Sequence, residues 1–284
     1  MWKKQSYLIL SLSFFIAFFI WGQMGMFLVH LLFGVNIQAN FFKFCFSLFK
    51  DDSFYYFLAI IILNVLISYN IITIVWKAAE QAYLLKKFER RIHSLMDFGL
   101  TEKANKILRP EQQDILVIAD PAPGAFSIGF FRTSIVLSTG MLSLLHEEEL
   151  RAVIEHESFH GRNKDSLKLF LLQLISTAFF FVPLTGWCFR NYRILSELSA
   201  DEYAISRMGS RLDLSTALLK LIRNRTSFEA PPAAAFFAKE AVNLRLQQLV
   251  DPQKNIPLKL SSTTVTVSVY VLLFLLALTL VTVT

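Results

Sequence analysis

Val153-Ile154-Glu155-His156-Glu157-Ser158-Phe159-His160 sets two histidines four residues apart, with a glutamate directly after the first. The surrounding residues, from Glu147 to about Asn163, predict a helix, with Glu147, Glu148 and Glu149 at its positive N-terminal end. Positions i and i+4 share one helix face, so His156 and His160 can direct ring nitrogens at one Zn²⁺. Glu157 sits one step round, placed to act as base towards the water that such a metal activates without itself being a ligand. Two surface histidines do meet at this spacing by chance. In a chain with only five histidines the metal reading takes precedence.

A catalytic zinc takes three protein ligands and keeps one position open. Downstream stands Ile194-Leu195-Ser196-Glu197-Leu198-Ser199-Ala200-Asp201-Glu202. Glu197 is the candidate third ligand. Asp201, one helical turn later on the same face, is placed to accept the N–H of a ligating histidine and fix its tautomer. Alone, this acidic run reads as a solvated helix face; after an H-E-x-x-H it reads as the second half of a site.

Around these two segments the chain is apolar. Its 284 residues are 54% hydrophobic and 18% charged, with a mean hydropathy of +0.48. Four uncharged blocks carry the excess: Ser6–Phe33, Ser53–Trp76, Leu169–Phe189 and Leu260–Thr284. Each reaches the roughly 20 residues needed to cross a hydrocarbon core. That pattern excludes a disordered chain, a collagen and a disulfide-rich scaffold. Cys45 and Cys188 both lie in apolar surroundings and form no disulfide framework. The net charge of +6 comes from Lys and Arg gathered beside the apolar blocks. Lipid headgroups and topology account for it, and direct nucleic-acid binding is not expected. The first block far exceeds the h-region of a signal peptide and is read as a retained span.

Lys3 and Lys4 place the N-terminus inside, and Lys77, Lys86, Lys87, Arg90 and Arg91 place the stretch after the second block on the same side. The intervening loop from Gly34 to Asp52 holds only Lys43 and Lys50. If Leu169–Phe189 crossed the membrane, the Arg- and Lys-rich stretch to Lys259 would lie outside, away from His156. Val182-Pro183-Leu184-Thr185-Gly186 is a turn signal within that block, which predicts a re-entrant helical hairpin over about 167–189. The expected architecture is an α+β cytoplasmic domain inserted between transmembrane helices, with three full spans plus the hairpin. Residues 1–76 supply two spans, 77–259 the domain with its hairpin, and 260–284 a last span that leaves the C-terminus outside. Strands are predicted at 115–118, 125–131 and 134–137, and helices at 213–225 and 239–250, separated by Pro231-Pro232.

Several segments taken in order resemble a known family. They are Gly124-Ala125-Phe126-Ser127-Ile128-Gly129, Ile135-Val136-Leu137-Ser138-Thr139-Gly140-Met141-Leu142, and Glu149-Leu150-Arg151-Ala152-Val153-Ile154 leading into His156-Glu157-x-x-His160, with Asp165 five residues on. Together they look like the membrane gluzincins, in both the BlaR/MecR sensor-transducer branch and the HtpX/CAAX-prenyl-protease branch. Val182-Pro183, Trp187 and Arg193 before Glu197 are closer to the BlaR/MecR type, and the likeness covers roughly residues 75–250. It implies a zincin-like (gluzincin) fold in the plasma (inner) membrane of a bacterium. It also implies one Zn²⁺ per chain on His156, His160 and Glu197, with Glu157 as catalytic base. Two departures stand out. The beta-lactam sensors carry a penicillin-binding domain after the last span, whereas this chain stops at Thr284, so sensing by acylation is not expected. Ala200 stands where that family often has Cys, as in the HtpX-type motif.

The resemblance implies an endopeptidase that cuts a cytoplasmic or membrane-proximal protein on a signal, a transcriptional repressor being one such partner. A quality-control protease of the HtpX type is the alternative, and a catalytically silent transducer or scaffold a third reading. The lipid bilayer is the second partner; nothing in the sequence indicates the oligomeric state. Weaker candidates complete the set. Ala125, Phe126 and Ser127 offer a strand edge for an extended substrate. Arg245, where the family often has an Arg before a Leu, is a partner for Asp165 or for a substrate carbonyl, but a surface helix charge is the simpler reading. Tyr203 offers a hydroxyl to an oxyanion or a membrane-interface anchor. His30 is read as snorkelling at the outer end of the first span, and His93 and His146 as ordinary surface residues.

Overall fold

The structure, a computed structural model, describes residues 2–35, 40, 53–108, 114–224, 239–251 and 260–281. Cys45, Lys43, Lys50 and the Pro231-Pro232 separator lie outside the described residues. Thirteen elements follow in chain order: α1 (Trp2–Phe33), α2 (Phe54–Leu95), α3 (Phe98–Leu108), β1 (Ile115–Ile118), β2 (Ala125–Ile128), β3 (Ser134–Ser138), α4 (Thr139–Leu144), α5 (Glu147–Asn163), α6 (Asp165–Ala178), α7 (Pro183–Met208), α8 (Leu212–Arg223), α9 (Lys239–Val250) and α10 (Ser262–Val281). They fall into two compact units, residues 1–7, 80–171 and 191–257 forming one and 8–79, 172–190 and 258–284 the other.

The first unit is built on a three-stranded mixed sheet of order β1-β3-β2, β1 parallel and β2 antiparallel to β3. The period-2 alternation of these short apolar runs buries both faces. Ile115, Val117, Ile135 and Leu137 pack with Met141 of α4, with Leu150, Val153 and Ile154 of α5 and with Ala217 of α8. Val136, Ile118, Phe126 and Ile128 pack on the other side with Phe88 and Ile92 from the last turns of α2. The strand predicted at 125–131 ends early, at Ile128, because Gly129 turns the chain with φ +103. A Cβ there would lie 2.0 Å from the Arg132 carbonyl oxygen. At its N-terminus α5 is held by Glu149, whose Oε2 accepts the His146 backbone N–H at 2.9 Å and the Lys220 ammonium at 2.7 Å.

The second unit is helical and apolar. α1 and α2 are each long and apolar enough to cross a membrane, and α10 adds a shorter apolar run over Ser262–Leu276. Along the apolar part of α2, Phe54, Ile61, Val65, Ile72 and Trp76 are each more than half exposed. So much outward apolar surface on one helix fits lipid rather than water. The chain is membrane-associated. The third apolar block is two helices, α6 and α7, broken over residues 179–182 just before Pro183. The polar groups at the break find partners within the unit: Thr185 Oγ1 donates to the Val182 carbonyl at 2.8 Å, and Ser268 Oγ of α10 accepts the Leu184 N–H at 2.9 Å.

Candidate metal centre

His156, Glu157 and His160 stand on consecutive turns of α5, and Glu197 and Asp201 on consecutive turns of α7. A ligand atom from each of His156, His160 and Glu197 lies within 4.8 Å of the others, and all three residues are buried. It is the one such group of three among the described residues. His156 Nε2 and His160 Nε2 approach to 3.2 Å. Glu197 Oε1 lies 3.2 Å from His160 Nε2, and Oε2 lies 3.5 Å from His156 Nε2.

The opposite ring nitrogens decide what this cluster can hold. His156 Nδ1 is 2.9 Å from Asp201 Oδ1, and His160 Nδ1 is 2.8 Å from Asp165 Oδ2. Carboxylates only accept, so each Nδ1 carries a proton, and in the neutral ring each Nε2 is left with a lone pair. Two imidazole lone pairs and a carboxylate therefore converge, and Glu197 Oε1 is buried without a hydrogen bond. Three converging acceptors need a cation between them. The donor set, two nitrogens and one oxygen with carboxylates behind the histidines, is that of a catalytic zinc site and is positioned to coordinate a single Zn²⁺.

Asp165 reaches His160 through a sharp reversal. Lys164 ends α5 in the left-handed conformation, φ 54 and ψ 43, and folds the next residue back onto the helix. Asp165 Oδ1 in turn accepts the Tyr192 hydroxyl at 2.8 Å and the Asn163 amide at 2.7 Å. Burial, reinforced by Asp165, pushes the Tyr192 phenol far above its ordinary value and keeps it a donor. The sequence offered Asp165 as part of the family-like segment and as a partner for Arg245, not for His160, and Tyr192 was missed. The available signal was that Asp165 stands five residues past His160 in the segment that resembles the family.

Arg245 is not a surface charge. Its side chain is 14% exposed, and it donates to Asp201 through Nε to Oδ2 and Nη2 to Oδ1, both at 2.8 Å, while Nη1 reaches Glu197 Oε2 at 3.0 Å. The correction has a physical reason: a guanidinium from α9 compensates two carboxylates buried side by side on α7. Burial opposes ionisation of Glu197, yet His160 in its protonated form and Arg245 hold its pKa well below the usual range; for Asp201 burial is likewise outweighed, chiefly by Arg245. Glu157 goes the other way: burial raises its pKa against the pull of His160 and His156. Tyr203 points elsewhere, accepting from Arg162 Nη1 at 2.8 Å, and does not line the cleft. His30 closes the end of α1 through Nδ1 to the Val35 carbonyl at 2.7 Å.

The cluster opens into a cleft of ≈ 230 Å³ whose walls include Ala125 and Phe126 of β2, Leu214 and Leu218 of α8, Glu157 and Arg245. β2 pairs with β3, and among the described residues no other strand lies along its second edge.

Residues 45–249 match the family described as BlaR1 peptidase M56. The chain belongs to that family. M56 peptidases share a clan with the HtpX and CAAX-protease zinc metallopeptidases, and individual relatives are drawn from there. A Protease HtpX homolog of Bordetella avium (strain 197N) is 37% identical over 84 residues, 29% of this chain and 27% of that one. One from Limosilactobacillus fermentum is 32% identical over 95 residues, 31% of each chain. The chain thus spans under a third of the length of these curated relatives. A longer match, 24% over 224 residues, covers 73% of this chain and 71% of a Protease HtpX homolog of Helicobacter acinonychis. The crystal structure of S. mikatae Ste24p aligns over 86% of this chain and 66% of that one at 14% identity, with a TM-score of 0.38.

Proposed function

We propose that this M56 peptidase is an integral-membrane zinc endopeptidase whose substrates are membrane-proximal protein segments on the cytoplasmic side, in the manner of an HtpX-like protease that removes damaged membrane proteins. The observation that carries the chemistry is the convergence of His156 Nε2, His160 Nε2 and Glu197 on one point with both Nδ1 atoms held by carboxylates. Bound there, zinc supplies Lewis acidity towards a scissile carbonyl and makes a water acidic enough to lose a proton near neutral pH.

This chain's own residues do the rest. Glu157 takes a proton from the attacking water and returns it to the leaving amine, and its raised pKa suits a group that must hold the proton between those steps. Ala125, Phe126 and Ser127 receive the substrate as an added strand along the edge of β2, which lays its backbone across the cleft. Asp201 and Asp165 fix the two imidazoles, and Arg245 steadies Asp201 and Glu197. The α6–α7 hairpin dips into the bilayer and returns, so that Glu197 meets His156 on one side; partners at the break for the Thr185 hydroxyl and the Leu184 N–H support this.

Glu157→Gln keeps the ligand set and is expected to abolish cleavage while zinc stays bound; cleavage at the wild-type rate would contradict the role. Signal-dependent cleavage of a repressor is the second reading, favoured by the match to the BlaR1 peptidase family. Comparing membrane proteomes of cells carrying the wild type or Glu157→Gln separates the two. Broad accumulation of membrane proteins supports the HtpX-like role, and a single stabilised regulator supports the other.

A further inference from the structure

The β2–β3 turn carries Phe130-Phe131-Arg132, a sequence the peptidase chemistry does not use. Gly129 makes the turn tight, and Phe131 at its tip is 76% exposed, with Arg132 exposed beside it. Behind the tip, Phe130 stacks on Phe170 of α6 with ring centroids 5.6 Å apart and planes at 21°. The Lys164 ammonium lies 5.9 Å from the centre of the Phe131 ring, and the Lys168 ammonium 5.1 Å from that of Tyr7. Lys3 and Lys164 are near enough to Lys168 for their charges to act on it. Among the described residues, the carboxylate that acts on Lys168 is Asp165, which is buried and already engaged by His160, Tyr192 and Asn163.

Two of these ammonium groups lie over aromatic rings and Lys3 stands near enough to act on one of them; their charges repel one another unless an anion sits there. The chain indicates which anion. Lys3, Lys4 and Tyr7 stand at the head of the first uncharged block, and Lys164 and Lys168 directly before the third. Both runs start from this patch. Basic residues mixed with aromatic rings at the start of apolar helices are what a headgroup layer selects.

We propose that Phe131, Tyr7, Lys3, Lys164 and Lys168 form a binding surface for anionic phospholipid headgroups, which ties the β2–β3 turn to the membrane surface. Phe131 enters the interface, and the lysines take the phosphates around it. Because β2 also lines the cleft, this contact fixes the height of the substrate edge above the bilayer. The inference rests on the reading of the chain as a membrane peptidase.

The test uses the full chain with Phe131→Trp, reconstituted in phosphatidylcholine nanodiscs that carry brominated phosphatidylglycerol or, at equal mole fraction, brominated phosphatidylcholine. The signal is the difference from the wild type, which has four tryptophans of its own. Quenching by the brominated anionic lipid is expected to be roughly fivefold the stronger, the scale of one basic residue at an anionic surface. Adding Lys3→Gln and Lys164→Asn, the latter suited to a left-handed backbone, is expected to remove that preference. Equal quenching by both lipids, or none by either, would overturn the proposal. Zinc content measured on the same samples keeps the two readings apart. Zinc-loaded protein without selective quenching refutes the patch alone, whereas folded protein that takes up no zinc refutes the peptidase reading whatever the quenching shows.

Discussion

His156 and His160 are each backed by a different carboxylate, and the two backings differ in how they are built. Asp201 is itself clamped by Arg245 through two hydrogen bonds, whereas Asp165 depends on Tyr192 and Asn163. Asp201→Asn or Asp165→Asn is expected to weaken zinc binding about 10–100-fold, read by competition with a chelator, since an amide is a weaker acceptor than a carboxylate and can turn its NH2 to the ring, so the imidazole tautomer is no longer enforced. Unchanged affinity in both would mean that the histidines need no orientation. Away from the metal, Glu149 provides a pH-dependent contribution to stability. Burial alone would raise its pKa, but the Lys220 hydrogen bond and the His146 N–H bring it below the ordinary 4.5. A lowered carboxyl stabilises the folded state fully above its ordinary pKa and loses that contribution as pH falls through the lowered value. Glu149→Gln is therefore expected to cost about 1–2 kcal/mol at neutral pH, with the gap to wild type closing on acidification in denaturation curves recorded in detergent.

Much at the level of elements was legible because each had a local cause. The i, i+4 histidines and the acidic first turn marked α5 from Glu147 to Asn163, and Pro183 marked the break between α6 and α7. Arg245 was not legible in this way. Nothing in Asn243-Leu244-Arg245-Leu246 says that α9 packs over α7, so a guanidinium buried against Asp201 read as a surface charge. The αL reversal at Lys164 was equally hidden, since lysine carries no preference for that conformation. Two element-scale tests follow from the packing. Gly140, early in α4, has no room for a side chain: a Cβ would lie 2.1 Å from the Pro121 carbonyl oxygen. Gly140→Ala is expected to destabilise the sheet unit by about 1–3 kcal/mol, seen as a lowered melting temperature. Ser268→Ala strips the Leu184 N–H of its acceptor at the break and is expected to cost about 1 kcal/mol or more, seen as faster proteolysis near Pro183.

At the scale of the whole molecule, the site exists only if residues from α5, α7 and α9 share one side of the membrane. The hairpin reading makes that possible, and it predicts that reporters fused after residue 105 and after residue 205 give the same cytoplasmic signal while one after residue 284 gives the opposite. A full crossing by the third block would instead separate the first two. The metal tests the same arrangement from within. The measurement that bears most directly on the account is zinc per chain, by elemental analysis, in detergent-purified wild type and Glu197→Ala. About one zinc in the wild type and a clear loss in the variant is the predicted result. Zinc retained in full without Glu197, or a folded wild type that takes up none, would contradict it.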